Sequence, residues 1–402
     1  MSDQLLTRQR VPSIDVLRGL IMVIMALDHV RDFFFASSLR HASSVALDPT
    51  NMETTTPGLF FTRWITHFCA PVFVFLAGTS VYLMGQRKTK TQLALFLIKR
   101  GVWLLLVEVL VITLAWTFNP LYNVIILQVI AAIGISMIVL GLLVRLPFAW
   151  LFVLGLVIAM GHNLLAYPPF HPRVCGFFCD LVYFANFSVY HISETRVVLI
   201  VYAFLPWTAV MILGYCFGKL YEQGMGSTRR RRILILLGST LCLLFLLLRL
   251  INVYGDPQPW SVQTRGSVYT FLSFLNANKY PPSLDYLCMT LGPAMLLLAY
   301  LEKIQNRLTA ILNVYGRVPM FYYILHLYLI HMIGVIVFYA KGFGSADIIT
   351  PGSPFFFRPP GIGFTLPGVY IIWIIVVLIL FPLCKRYDRY KTSHKKWWLS
   401  YL

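Results

Sequence analysis

Apolar stretches of about 20 residues recur along the whole 402-residue chain, and a helix of that length is what crosses the hydrocarbon layer of a bilayer. Backbone polar groups in lipid must be satisfied within their own segment, so each such stretch has to be helical. Spans are expected at 14–35, 62–84, 93–118, 122–143, 147–166, 197–218, 233–250, 283–300, 318–340 and 368–384, with Leu308–Tyr315 as a short interfacial helix. The expected fold is an all-α polytopic transmembrane bundle of ten or eleven spans, forming one integral-membrane domain over 1–402. Composition agrees: 58% hydrophobic residues, 12% charged and a mean hydropathy of +0.75 lie far from a soluble globular domain.

Lysine and arginine are retained on the cytoplasmic side and so set orientation. "QRKTK" (86–90), "STRRRR" (227–232) and "KRYDRYKTSHKK" (385–396) all fall inside under one assignment, which needs an even number of spans. Both termini are then cytoplasmic, with 385–402 as a basic tail. The net charge of +18 is dispersed over membrane-flanking loops rather than gathered on one face, which argues against a nucleic-acid partner. "MSDQLLTRQR" is too polar for the apolar region of a cleavable signal, so the first span is expected to stay as an anchor.

Among seven cysteines, Cys175 and Cys179 on an outer loop are the one pair close enough to bridge on an oxidising side. Their CxxxC spacing lacks the further ligands a zinc site needs, and no metal is expected. The chain has no Gly-rich phosphate loop, HExxH or GxSxG, so any chemistry belongs to the bundle itself. The longer external segments, 36–61, 167–196, 251–282 and 341–367, are the expected substrate-shaping surface.

Ionisable groups inside a membrane are costly and mark functional sites by default. In "SIDVLRGLIMVIMALDHVRDFF" (13–34), Asp15, Arg18, Met22, Met25, His29 and Asp32 form one stripe at helical spacing, with Asp28 beside it. The stripe must face protein. His29 lies about 16 Å beyond Arg18 along the axis, so the helix carries polar groups at an inner mouth and again toward the outside. Asp15 and Arg18 read first as a helix-end ion pair, whereas His29 titrates near neutrality and has Asp28 or Asp32 at hand to orient it.

Further polar groups occur in other spans. Arg63 and His67 share a face of the second, making His67 an alternative base, while its small residues serve helix packing. Glu108 needs a cationic or hydrogen-bonding partner in mid-span. In the ninth, His326 shares a face with Tyr322 and Tyr323 and suits a polar pocket better than His331, five residues on. "NKYPPSLDYLCMTLGPAM" begins outside, where Asn278 and Lys279 shape a vestibule and Asp285 favours the positive amino end of the eighth span.

"PSIDVLRGLIMVIMALDHVRDFF", "RWITHFCAPVFVFLAGTS", "KYPPSLDYLCMTLGPA" and "YGRVPMFYYILHLYLIH" together resemble the bacterial branch of the heparan-α-glucosaminide N-acetyltransferase-like membrane family. That branch is more distantly related to the membrane acyltransferases that O-acetylate surface polysaccharides. The resemblance runs over about 12–390. It implies a multi-pass protein of the bacterial inner membrane that moves an acetyl group from cytoplasmic acetyl-CoA to a hydroxyl or amine of an extracytoplasmic sugar or glycan. It also allows a homodimer. In the polysaccharide branch an essential histidine ends the first span after an "LRG" opening, and His29 matches it. In the glucosaminide branch the working histidine lies in the outer region before the second span, where His41 and His67 are the nearest counterparts and neither aligns well.

These readings make His29 the expected base or transient acyl carrier, with Asp28 or Asp32 orienting it and His67 and His326 as further candidates. Arg18, Arg100, Arg317 and Arg87 would hold the phosphates of coenzyme A at the inner mouth. A proton-coupled transporter is the rival reading, because intramembrane His, Asp and Glu also serve proton movement.

Overall fold

The computed structural model describes residues 11–36, 48–168, 176–351, 353–394 and 396–400. The elements run α1 (Pro12–Phe34), α2 (Pro57–Thr66), α3 (Cys69–Gly85), α4 (Lys90–Val107), α5 (Thr113–Thr117), β1 (Val124–Leu127), α6 (Val129–Leu143) and α7 (Phe148–Gly161). After the one-turn α8 (Phe177–Cys179) come β2 (Ser188–Ser193), β3 (Arg196–Ile200), α9 (Phe204–Phe217), α10 (Ser227–Ile251) and α11 (Ser267–Leu275). The chain closes with α12 (Leu284–Leu301), α13 (Arg307–Arg317), α14 (Pro319–Ala340) and α15 (Leu366–Ser393).

Among the described residues, six helical segments are long and apolar enough to cross a membrane: Pro57–Gly85, Phe148–Ala166, Ser227–Ile251, Leu284–Leu301, Pro319–Ala340 and Leu366–Ser393. The protein is thus a multi-pass, mainly helical integral-membrane protein. Leu236, Leu243, Leu247 and Leu250 of α10, and Ile371, Ile374, Ile375 and Leu378 of α15, are exposed to the outside of the bundle. Apolar surface of that extent belongs against lipid tails.

The charged first helix takes the opposite place. α1 packs against α2, α3, α12, α13, α14 and α15 and is buried over most of its length. Its contact with α13 is backbone on backbone: a Cβ at Gly19 would stand 1.8 Å from the Leu312 carbonyl oxygen, and one at Gly316 1.7 Å from that of Asp15. Only glycine fits at either position. A second close crossing joins α3 to α9 at Gly78 and Gly214, and the Thr79 hydroxyl donates to the Gly214 carbonyl across it at 3.0 Å.

Four local features depart from the sequence expectation. The spans expected over 122–143 and 197–218 each begin as a strand; β1 pairs parallel with β3, and β3 antiparallel with β2, in the sheet order β1-β3-β2. "VIIL" and "RVVLI" are apolar runs too short for periodicity to separate strand from helix, and their β-branched residues favour the strand. The expected second span is broken at His67 and Phe68, because Pro71 has no N–H for the His67 carbonyl; Tyr286 Oη donates to that carbonyl instead, at 2.7 Å. The third contains a π-helical turn at Glu108–Ile112. The tail expected from residue 385 continues as the last turns of α15.

Candidate active site

Two histidines 297 residues apart meet at the centre of the bundle. Nδ1 of His29 lies 2.6 Å from Nε2 of His326, with the two rings nearly coplanar. Nδ1 of His326 faces the Tyr322 carbonyl at 2.9 Å. A carbonyl only accepts, so that nitrogen carries a proton, and in the neutral ring Nε2 of His326 is then the acceptor. His29 must donate to it from Nδ1. The unprotonated, basic nitrogen of His29 is therefore Nε2, which has no hydrogen-bond partner among the described residues. Trp116 and Tyr323 meet the His29 ring edge-on at centroid distances of 5.1 and 6.0 Å and complete its walls.

The carboxylates expected to orient His29 are engaged elsewhere. Asp28 receives Arg63 Nη1 on both oxygens at 2.8 and 2.7 Å, Thr66 Oγ1 at 2.7 Å and the Arg31 guanidinium at 2.8 Å. Asp32 takes Arg31 at 2.6 Å, and its side chain is 40% exposed. Arg358 donates to the Asp32 backbone carbonyl and lies over the Phe33 ring. Burial pushes Arg358 down to about 10, partly offset by Asp32. The group that fixes the His29 ring is thus His326, which the helical spacing identified as a pocket residue without revealing its partner. Arg63 was noted only as a neighbour of His67; as the principal partner of Asp28, 35 residues away, it left no signal in the sequence.

His67 sits at the break between α2 and α3, 3% exposed, with its ring against Tyr286 and its Nδ1 unpartnered. It stays near the cluster but makes no hydrogen bond to His29. Glu108 opens the π-helical turn; Oε1 accepts the Gln128 backbone N–H at 2.6 Å, and Oε2 is buried with no partner. Of the two kinds of partner expected for it, cationic or hydrogen-bonding, the structure supplies the second, a backbone donor. His331 turns away from the pair toward the carbonyls of Ala115 and Phe356, stacked on Phe118.

Beyond the histidines, the segment between α11 and α12 brings Lys279 and Tyr280 toward Arg63 and Asp28. Burial pushes the Tyr280 phenol up, but Lys279 and Arg63 together overcome this and hold it below the ordinary tyrosine value. Nη2 of Arg63 lies 3.4 Å from its hydroxyl.

The four arginines expected at the inner mouth separate. Arg18 is saturated by Asp15 at 2.8 Å, Ser80 Oγ at 2.8 Å and the Gly316 carbonyl at 3.2 Å, and so serves the α1–α3–α13 junction. Arg317 pairs with Asp388 at 3.0 Å and donates to Thr392 at 2.9 Å. It borders an open depression of about 330 Å³ that Arg389, Thr392 and Ser393 also line. Arg87 is exposed in the turn after α3, and Arg100 is half-buried on α4. Cys179 is disulfide-bonded, the five other described cysteines are free, and Cys175 and His41 lie outside the described residues.

Residues 10–249 match the family model described as heparan-alpha-glucosaminide N-acetyltransferase, catalytic. No curated protein matches the chain. The matched segment holds His29, Asp28, Arg63 and His67, whereas His326, Lys279 and Tyr280 lie beyond it.

Proposed function

The chain belongs to the heparan-alpha-glucosaminide N-acetyltransferase family and is a membrane acyltransferase; on that premise we propose that His29 is its general base and His326 the residue that positions it. The contact between the two rings carries this reading, because the Tyr322 carbonyl dictates which nitrogen of each ring bears hydrogen. Nε2 of His29 is left free to take a proton.

The proposed donor is acetyl-CoA, a substrate that enters from the cytoplasm. The depression lined by Arg317, Asp388, Arg389, Thr392 and Ser393 offers guanidinium and hydroxyl groups of the kind that bind phosphate, with Arg317 shared with the Asp388 carboxylate. Arg18 has three protein partners and lies in a helix junction, which favours the Arg317 surface for that role. Gly316 contacts Asp15, and His29 lies 14 residues further along α1, so the acyl-pantetheine arm has about 21 Å to cover.

In the proposed step, Nε2 of His29 takes the proton of an acceptor hydroxyl or amine as that atom bonds to the thioester carbonyl carbon. The carbonyl electron pair moves onto oxygen, then returns as the C–S bond breaks. The departing thiolate takes the proton back from the His29 imidazolium and leaves as free coenzyme A. Because the Nδ1 hydrogen is already committed to His326, the ring needs no reorientation between the two transfers.

The acceptor is proposed to be an extracytoplasmic sugar or glycan, and the location the bacterial inner membrane with both termini in the cytoplasm. Ten spans satisfy that orientation once α1, α4–α5, α6 and α9 are counted with the six apolar segments. α1 is more charged than the six apolar segments, and its place inside the bundle supplies the partners those charges need.

The test uses purified protein and acetyl-CoA with a panel of amino sugars and glycans, following thiol release and radiolabel. Acceptor-dependent release with label on the acceptor supports direct transfer. Label retained on the protein would replace it with a covalent acyl-histidine route.

A further inference from the structure

Around the histidine pair, three buried donors have no hydrogen-bond partner among the described residues: Trp116 Nε1, Tyr322 Oη and Tyr323 Oη. A donor buried without an acceptor costs about 1–3 kcal/mol, so each one asks for a use. The three differ in what they face. The Tyr322 ring lies along His326 rather than His29, with centroids 5.1 Å apart and planes 16° from parallel. Tyr323 touches both histidines, but the Glu108 carboxyl is within electrostatic reach of it and would oppose an anion developing beside that hydroxyl. Trp116 meets His29, edge-on at 5.1 Å. Its indole N–H donates and cannot accept, so it serves neither as a base nor as a proton relay. The surrounding chain fixes this indole. The π-helical turn Glu108–Ile112 inserts one residue ahead of α5 and turns α5 by about 100° relative to α4. Phe33, one turn beyond His29 on α1, stacks on the indole at 5.2 Å. His331 holds the Ala115 carbonyl at 2.9 Å, and the Phe356 N–H holds that of Thr117 at 2.9 Å, so the residues on both sides of Trp116 are pinned.

We propose that the Trp116 indole N–H is the donor that steadies the oxyanion formed on the thioester carbonyl, a catalytic role beside the base. The inference rests on the acyltransferase reading with His29 as that base. As the acceptor atom bonds to the carbonyl carbon, the C=O π pair moves onto oxygen, where the indole N–H donates to it and keeps its own proton. When the pair returns, the C–S bond breaks, and coenzyme A leaves as the thiol with the proton that His29 held. The indole takes no part in the proton count. A donor fixed before the reaction begins costs no reorganisation during it, and because it acts on charge that develops only in the transition state, its contribution falls on kcat.

The test removes the N–H and keeps the ring. In full-length protein in detergent, Trp116 is replaced by benzothienylalanine, an isostere with sulfur in place of the N–H, and in parallel by phenylalanine. Acceptor-dependent thiol release should fall about 100-fold in kcat in both, with KM for acetyl-CoA within about threefold of the wild type. The second readout needs no acceptor and no turnover. A coenzyme A analogue with a trifluoromethyl ketone in place of the thioester presents a tetrahedral oxyanion as its hydrate. It should bind the wild type at least about tenfold tighter than acetyl-CoA, and the isostere protein no tighter than acetyl-CoA. A kcat within about threefold of the wild type in the isostere protein, a loss that falls on KM instead, or the same preference for the analogue in both proteins overturns the assignment. Thiol release by the wild type that His29→Ala abolishes and the isostere leaves intact would overturn the donor role alone. No release by the wild type with any acceptor would overturn the acyltransferase mechanism, and the donor role with it.

Discussion

Replacing His326 with leucine removes the acceptor for the Nδ1 hydrogen of His29 while keeping an apolar side chain in a fully buried position. The magnitude follows from what the ring then faces. Keeping hydrogen on Nδ1 means burying an unsatisfied donor, at a cost of about 1–3 kcal/mol. The ring therefore shifts toward the tautomer with hydrogen on Nε2, where the base must be unprotonated. That cost appears as a loss in kcat of about 5- to 160-fold. The loss stays below the roughly 10⁴-fold seen when a serine-protease triad is locked in the wrong tautomer, because here a neutral imidazole and no carboxylate is removed. The KM for acetyl-CoA should hold, since the donor phosphates are expected about 21 Å away. The assay is continuous thiol release by purified, monodisperse protein, and His326→Gln should recover most of the loss because its amide oxygen accepts the same hydrogen. If His326→Leu turns over within twofold of the wild type, or if the glutamine variant is as impaired as leucine, the tautomer argument is wrong.

Asp28→Asn should be severely destabilising rather than selectively inactivating: Arg31 and Arg63 lose the carboxylate they share, at a cost of about 3–5 kcal/mol, read as a lower Tm in detergent. Gly19→Ala and Gly316→Ala should each lower Tm more than Gly161→Ala, because the first two force apart the backbones of α1 and α13 and the third meets open space. Ultraviolet titration should show a tyrosinate forming below the ordinary tyrosine range, absent in Tyr280→Phe and moved upward in Lys279→Met. The sign follows from a depressed folded value: stability contributed by the Tyr280 phenolate is complete above the unfolded pKa of about 10 and is lost as pH falls through the folded one.

The long apolar elements were legible because length and hydropathy suffice for them: α1, α7, α10, α12 and α14 lie within a few residues of their expected bounds, except for the earlier start of α10. The stripe on α1 was legible too, since i, i+3 and i+4 spacing alone shows that its charges must face protein. Partnerships were not. Whether Asp28 would orient His29 or bind arginine depends on α2, which carries Arg63 35 residues further along the chain. His29 and His326 are joined by tertiary packing across 297 residues, a distance at which spacing carries no information. The strands escaped notice for a different reason: β1 and β3 pair in parallel some 70 residues apart, and each runs on into an apolar helix, so hydropathy shows one continuous segment.

The role of Arg18 shows how charge alone misleads. Its position at the inner end of α1 suits a phosphate ligand, but three protein acceptors surround it, and the proposed donor site is the open surface beside Arg317.

The most direct test of the account is acceptor-dependent thiol release from acetyl-CoA by His29→Ala, compared with the wild type in the same detergent and with acetyl-CoA binding measured in parallel. The account predicts that binding is retained and release falls to the rate without acceptor. Unchanged release by a folded His29→Ala protein would contradict it and move the base to another residue.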